Sequence, residues 1–402
     1  MVSSLASSAA DAPLSGPEDR WIRVGSSSSL DPEQAVAEAL APLLAAGAPQ
    51  LVLLFASPQQ ELERLAALVA ERIAPGALIG CSTAGELVQH RSQSGGLVLW
   101  GLGGEGFAVA TGFGQGNREG LRAAATEAAG CLERLQKRRH TVLVLLADGL
   151  CGDQMEVVRG AYAVAGVDVP LVGGCAGDDL AMRSTRQLYG TRMLQQAVVA
   201  AAISSDHPIG LGVSHCWRPL GSPMLVTGSE GTSVLSLDDR PALDVYLETF
   251  AAPEQVQHDP EAFAAFASTR PLGIRRRDRL EIRFVAGADP ERRSLLTIAE
   301  VPQGGLAFLM EGDEGSVLEA TEQACRGAMA ALAGEPARGL LLFDCVARRA
   351  VLEDQCGTDE GARIAAVCGD IPVGGFYTYG EIARTKGAGG FHNQTLVALA
   401  LA

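Results

Sequence analysis

Lysine is nearly absent from this chain of 402 residues, which contains only Lys137 and Lys386. Few residues could therefore carry Schiff-base chemistry. Basic residues as a whole are in the minority, 32 against 47 acidic residues, and the formal net charge is −15. A surface of this sign repels phosphate backbones, and aromatic residues, at 5%, are too few for a base-stacking platform. We expect no nucleic-acid partner.

Paired cysteine motifs and long apolar runs are missing as well. The nine cysteines form neither C-x-x-C pairs nor Cys/His ligand spacings, which favours a reducing compartment over a disulfide framework. No apolar run is long enough to span a bilayer, and the first residues lack the basic and apolar segments of a secretory signal. We predict a cytoplasmic protein without membrane insertion.

Glycine, by contrast, is abundant, and three glycine-rich turns share one pattern. The turns read LIGCSTAGEL at 78–87, LVGGCAGDDL at 171–180 and PVGGFYTYGEIA at 372–383. In each, an apolar run enters a turn that ends in glycine followed by a carboxylate, namely Glu86, Asp178 or Glu381. Such glycines allow sharp turns or close approach of the backbone to another group.

The sequence around the turns repeats too. Each turn follows an apolar strand-like run and a helix-length segment, and each precedes another strand-like run. This alternation is typical of α/β architecture. We predict mixed β-sheets with flanking helices, built from repeated strand-helix-strand-Gly-turn units in two related domains, 20–210 and 211–402. A Ser- and Pro-rich disordered tail, 1–19, precedes them.

The three carboxylates have two interpretations. They can bond nearby backbone N–H groups within the turns. Alternatively, they converge at strand ends, where α/β folds place ligand sites. Phe376, Tyr377 and Tyr379 would then supply apolar walls.

Two short motifs suggest catalysis or nucleotide binding. Ser82 lies in GCSTA, one residue away from a G-x-S-x-G nucleophile elbow, and Cys81 precedes it. A hydrolase or transferase using Cys81 or Ser82 is therefore an alternative, although no histidine follows in a context that ties it to either. The G-x-G-x-x-G match at 101–106 is followed by a strand-like run, so we reject a dinucleotide site.

Histidine offers a further alternative. His215 and Cys216 could each hold haem iron, but adjacent strand residues point to opposite faces, so only one could ligate the same iron. His392, beside Asn393, is a second candidate. A hydrogen-bonded core histidine is the competing interpretation of both.

Taken together, ordered motifs resemble the FIST family, a paired N-terminal and C-terminal sensory module. They are GCSTAGE at 80–86, LADGL at 146–150, GGCAGDD at 173–179, PALDVYL at 241–247, FDCVARR at 343–349, GGFYTYGEI at 374–382 and HNQTL at 392–396. The resemblance implies a bacterial, non-enzymatic protein that binds a small molecule such as an amino acid. Some proteins that resemble this family carry haem and sense nitric oxide.

The resemblance also implies signalling through a separate partner, such as a histidine kinase or a cyclic-dinucleotide signalling protein. An amino-acid ligand needs both signs of charge, which Glu381 and Arg348 could offer. The residues that we expect to line the ligand site are Cys81, Ser82, Thr83, Glu86, Gly174, Asp178, Arg348, Phe376, Tyr377, Tyr379, Glu381 and Asn393. We predict no metal ligands and no certain cofactor.

Overall fold

A computed structural model describes residues 20–88, 91–215, 217–276, 279–353, 360–384 and 389–402. The predicted tail, 1–19, and Cys216 lie outside these residues. Among the described helices, none is both long and apolar enough to cross a membrane.

Strands and helices alternate along the chain. The strands are β1 Arg20–Ser27, β2 Pro49–Ala56, β3 Leu78–Ser82, β4 Glu86–Val88, β5 Arg91–Gln93, β6 Leu97–Gly104, β7 Phe107–Gln115, β8 His140–Ala147, β9 Leu171–Cys175, β10 Gln187–Tyr189, β11 Arg192–Leu194, β12 Ala197–Ser205, β13 Ile209–His215, β14 Arg218–Glu230, β15 Ser233–Leu237, β16 Arg240–Pro241, β17 Leu272–Arg276, β18 Arg279–Arg283, β19 Val285–Asp289, β20 Ser294–Thr297, β21 Leu306–Glu311, β22 Gly339–Cys345, β23 Val373–Thr378, β24 Glu381–Arg384, β25 Phe391–His392 and β26 Thr395–Leu401. The helices are α1 Pro32–Ala46, α2 Leu62–Ile73, α3 Leu121–Ala129, α4 Met155–Ala165, α5 Ala242–Thr249, α6 Glu254–His258, α7 Pro260–Ala267, α8 Glu314–Ala330, α9 Val346–Glu353 and α10 Glu360–Cys368, with a 3₁₀ helix at Gly130–Arg134.

Three of the sheets have the same topology. Their strand orders are β1-β6-β2-β3-β10-β11, β7-β12-β8-β9-β24-β25 and β13-β26-β22-β23-β4-β5. In each sheet, the third and fourth strands are parallel and every other neighbouring pair is antiparallel. The predicted fold class, mixed sheets with flanking helices built from repeated units, is confirmed.

Each of these sheets borrows its last two strands from another unit. The hairpin β4–β5 follows the first glycine turn but joins the sheet of β23, while β10–β11 joins β3 and β24–β25 joins β9. The three units are therefore linked in a ring. This exchange brings each glycine turn against the next sheet.

The strands alternate between a shared core and helix-covered outer faces. On β2, Leu53 and Phe55 lie in a core that also contains Val144 of β8 and Phe343 of β22. The intervening Leu54 packs beneath α1 and α2. This period of two is the expected strand pattern. Each fully buried leucine or phenylalanine stabilises the fold by about 1.5–3 kcal/mol.

The outer faces of the second and third sheets are covered in the same way. Helices α3 and α4 pack on the second sheet, and α8 and α10 on the third. At the start of α1, Asp31 caps the helix by accepting from Gln34 N, and Pro32 occupies the first helical position.

In the sequence, the strands of a fourth sheet lie between β13 and α8. The first two units have only a short connection between the corresponding strand and helix. The order of the fourth sheet is β18-β17-β21-β14-β15-β20-β19, with β16 paired to β15. Helices α5 and α7 share its apolar core around Tyr246. This sheet contributes no residue to the glycine turns.

Candidate functional site

The three glycine turns lie at the carboxyl ends of β3, β9 and β23. Gly80, Gly173 and Gly375 occupy equivalent places, each beside a strand of its own sheet. A Cβ atom at any of them would overlap the carbonyl oxygen of the neighbouring strand, from Leu54, Leu145 or Leu342. The glycines are required because the parallel strands approach closely there.

Backbone hydrogen bonds join the three turns to one another. Gly177 N donates to Ser82 O at 3.0 Å, and Cys175 N donates to Gly380 O at 2.8 Å. Tyr377 N donates to Gly85 O, also at 2.8 Å. The structure therefore brings the three sequence-distant turns into direct contact.

Two of the predicted carboxylates hold these turns closed. Glu86 bonds Thr83 Oγ1 at 2.6 Å and accepts from Gly96 N at 3.0 Å. Glu381 bonds Thr378 Oγ1 at 2.6 Å and accepts from Thr395 N at 3.1 Å. Both carboxyls are fully buried.

Burial changes the acidity of both groups. It raises the pKa of Glu86 to about 8, although the hydrogen bonds from Thr83 and Gly96 lower it in part. It raises the pKa of Glu381 to about 7, against a similar opposing effect from Thr378 and Thr395. Glu86 is therefore mostly protonated at neutral pH.

Gln187 takes the same place in the second unit. Like Glu86 and Glu381, it opens the borrowed hairpin of its sheet. Its Nε2 donates to Thr185 Oγ1 at 3.3 Å, and its Oε1 accepts from Ala197 N at 3.3 Å. A neutral side chain thus satisfies the same position.

Arg348 lies in a separate buried cluster. Its Nε donates to Asp344 at 2.6 Å, and its Nη2 donates to Glu360 at 2.8 Å. Burial raises the pKa of Asp344 well above its usual range. For Glu360, burial opposes ionisation, but the charge of Arg348 and the hydrogen bonds around the carboxyl together outweigh it, and the pKa is lowered. Tyr377 donates to Glu360 at 3.1 Å, so this predicted site residue joins the same cluster.

Asp178 shapes the most irregular segment near the turns, residues 178–186, which we call the arginine loop. It accepts from the backbone N–H groups of Met182, Arg183 and Ser184 at 2.7–2.9 Å, and from the Tyr379 hydroxyl. Burial opposes ionisation of Asp178, but these hydrogen bonds outweigh it and the pKa is lowered.

The arginine loop is also anchored to the first unit and to another part of its own unit. Asp179 accepts from Ser57 Oγ at 2.7 Å, and Thr185 Oγ1 donates to Asp148 at 2.7 Å. Arg186 N donates to Ser82 Oγ at 3.0 Å. Asp179, like two other non-glycine residues of the loop, has a left-handed backbone, with φ of 53°. The anchors hold the loop in this costly conformation.

A first cavity of about 750 Å³ lies on one side of the arginine loop. Its walls come from the end of β2, the start of α2 and the loop, and include Ser57, Glu61, Glu63, Ser82 and Arg186. The volume is in the range of small-molecule sites.

A second cavity of about 500 Å³ lies on the other side of the loop. It is lined by Arg118, Asp148, Arg183 and Gln196, among others. Ser184 lines both cavities. The loop is thus the shared wall of the two cavities.

Arginines without carboxylate partners gather around these cavities. Other arginine side chains of the described chain are in ion pairs, for example Arg64 with Glu33 at 2.6 Å. Within the described residues, the guanidinium groups of Arg118, Arg183 and Arg186 have no ion-pair partner. As far as the described residues go, these three guanidinium groups around one loop are available to an anionic ligand group.

The proposed nucleophiles are both held in the structure. Ser82 Oγ donates to Gly177 O at 2.7 Å while accepting from Arg186 N. Cys81 is fully buried, and burial raises the pKa of its thiol well above the ordinary value. A protonated, enclosed thiol is a poor nucleophile.

Neither histidine of the haem alternative lines the two cavities. His392 is buried and its Nε2 bonds Ala383 O at 3.0 Å. His215 is partly buried, and burial lowers its pKa. Haem needs an open cavity beside its axial ligand, so the buried, hydrogen-bonded His392 does not fit it. No group of three or more His, Cys, Asp or Glu side chains in the described ranges could hold a metal ion.

The other predicted site residues lie inside the assembly of turns. Phe376 stacks on Phe55 with ring centroids 4.7 Å apart. Gly174 pairs with Glu381 in the sheet, and Asn393 is fully buried. Of the predicted set, Ser82 alone lines one of the two cavities.

The sequence-based prediction missed the arginines. Arg183 and Arg186 occur in a polar stretch, MRSTRQ, that carries no motif. Their proximity to the DD pair after the second turn was the one available signal.

Comparisons with known proteins found relatives that match this chain in sequence. An uncharacterised protein of Mycobacterium tuberculosis strain H37Rv is 27% identical over 387 residues, covering 93% of this chain and 97% of that protein. An uncharacterised protein of Mycobacterium bovis is 28% identical over 234 residues, covering 56% and 58%. Among solved structures, a cyanuric acid hydrolase from A. caulinodans covers 95% of this chain and 99% of its own, with 7% identity and a TM-score of 0.37.

The family comparison covers most of the chain. The FIST N domain matches residues 50–240, and the FIST C domain matches residues 242–384. The predicted resemblance is therefore confirmed: the chain belongs to the FIST family, with a FIST N domain followed by a FIST C domain.

Proposed function

We propose that this chain is a non-enzymatic sensor that binds a zwitterionic small molecule of the amino-acid type in the first cavity. One observation carries the proposal: the cavity has unpaired groups of both charges. Arg186 lies on one wall, and Glu61 and Glu63 lie on another, without ion-pair partners among the described residues.

These charges match the two ends of an amino acid. Arg186 would bind the α-carboxylate, because a guanidinium offers two parallel N–H donors to a carboxylate. Glu61 or Glu63 would accept from the α-ammonium. Leu62, Ala67 and Met193 of the same cavity offer apolar contacts to a side chain.

The arginine loop gives binding a route to the rest of the molecule. Through Asp178 and Tyr379 the loop contacts the third turn, and through Arg186 and Ser82 it contacts the first. A ligand held by Arg186 would favour one arrangement of these contacts, which is the requirement for a population shift. A separate histidine kinase or cyclic-dinucleotide signalling protein would respond to that arrangement.

In this proposal, the buried carboxylates have a different role from the one predicted. Glu86 and Glu381 hold the turns together, and Arg348 holds its own buried cluster. The two glutamates support the turns against which the loop packs, and none of the three residues contacts the ligand.

Calorimetric titration with the twenty standard amino acids tests the proposal. We expect at least one to bind at a single site. Arg186→Gln should weaken it about 10–100-fold, the loss expected for charge-assisted hydrogen bonds. Arg139→Gln is a matched control, since Arg139 is exposed and precedes β8, at the end opposite the cavities. The proposal would be overturned if the Arg186→Gln protein bound the amino acid with the same affinity as the wild type.

A further inference from the structure

The second cavity differs from the first in its charge. It is lined by the guanidinium groups of Arg118 and Arg183, which have no ion-pair partner among the described residues, and by one acidic residue, Asp148. Both arginines are exposed, whereas Asp148 is 5% exposed. The charge that a ligand meets in this cavity is therefore positive.

Both carboxylate oxygens of Asp148 already accept hydrogen bonds from groups of the protein. Its Oδ1 accepts from Leu150 N at 2.9 Å and from Thr185 Oγ1 at 2.7 Å. Its Oδ2 accepts from Gln196 N at 3.0 Å. These bonds join three separate stretches of the cavity wall, so Asp148 builds the cavity and does not neutralise the arginines.

The remaining wall is uncharged and mostly polar. The amide groups of Gln195 and Gln196 are exposed there and can donate to a ligand oxygen. Cys151 also lines the cavity, and burial, together with the charge of Asp148, raises the pKa of its thiol. The thiol therefore adds no negative charge at neutral pH.

We propose that the second cavity is a binding site for a small oxyanion, a carboxylate or phosphate compound, held between Arg118 and Arg183. Guanidinium groups bind both oxyanions through paired N–H donors. This site is separate from the amino-acid site proposed above, because its charged residues are different. It goes beyond the proposed function and does not depend on it.

Calorimetric titration with malonate and with inorganic phosphate, at ionic strength held constant with sodium chloride, tests this site. We expect one of the two anions to bind at a single site, and the tighter one identifies the carboxylate or phosphate source. Arg118→Gln and Arg183→Gln should each weaken it at least tenfold. Both side chains are exposed and have no ion-pair partner in the part of the chain that the structure describes, so the variants should melt at the wild-type temperature.

Two controls separate this site from the first. Arg139→Gln, at the opposite end of β8, should bind the anion as the wild type does. Arg186→Gln should also leave anion binding intact while it weakens the amino acid. The proposal is wrong if neither anion binds beyond the sodium chloride control, or if the Arg118→Gln and Arg183→Gln proteins retain wild-type affinity.

Discussion

Replacing Glu86 by Gln should make the protein's stability less dependent on pH. In the folded chain the pKa of Glu86 is raised from 4.5 to about 8, mainly by burial. In the unfolded chain the carboxyl ionises near its ordinary value. The stabilisation that protonated Glu86 contributes is therefore fully present at pH values below the pKa of the unfolded chain. It is lost as the pH rises to the pKa of the folded chain.

The magnitude follows from the size of this pKa difference. Each pH unit between the two pKa values removes about 1.4 kcal/mol of unfolding free energy. From pH 5.5 to pH 8 the wild type should lose on the order of 3 kcal/mol through Glu86 alone. Gln has no proton to lose, and Gln187 shows that an amide satisfies the equivalent position through Thr185 and Ala197.

Urea unfolding of both proteins at pH 5.5, 7 and 8.5 measures the effect. The unfolding free energy of the Glu86→Gln protein, relative to that of the wild type, should increase as the pH rises. Glu133→Gln, at an exposed position, controls for the lost charge. Parallel pH profiles for wild type and Glu86→Gln would refute the reasoning, because they would mean that Glu86 is ionised in the folded chain.

Two other substitutions test the groups that position the site. Asp178→Asn should lower the unfolding free energy by about 1–3 kcal/mol, because the arginine loop loses charge-assisted hydrogen bonds. It should also lower the affinity for both proposed ligands. Wild-type melting temperature and wild-type affinities would count against the role of the loop. Arg348→Met should lower the unfolding free energy by about 3–5 kcal/mol, because Asp344 and Glu360 lose the cation that they share. Urea unfolding measures this loss, and a value below about 1 kcal/mol would contradict the buried ion-pair cluster.

Much of the architecture could be predicted because its signals are local. Apolar runs such as that of β2 and the Asp31–Pro32 helix start depend on neighbouring residues only. The glycines of the three turns were equally visible. Their equivalence follows from one backbone requirement, the close approach of parallel strands at Gly80, Gly173 and Gly375.

The exchange of hairpins could not be predicted from local patterns. Strand β4 follows β3 by a few residues, yet it pairs with β23, nearly three hundred positions away. For the same reason Gln187 was not recognised as the partner of Glu86 and Glu381. Its residue type differs, and only the sheet register shows the equivalence.

The candidate site was predicted in part for a related reason. Glycine and carboxylate motifs identified the turns, where Ser82 and Asp178 lie. The arginines were missed because a guanidinium without a partner is recognised only when its surroundings are known. Arg183 and Arg186 stand out in the structure through the cavities they line.

A crystal structure grown with the amino acid that binds most tightly would locate the ligand directly. We expect its electron density in the first cavity, with the α-carboxylate on Arg186 and the ammonium group towards Glu61 or Glu63. Density beside Tyr377 and Glu381, within the buried turns, would contradict the proposed site and favour the one predicted from the glycine motifs.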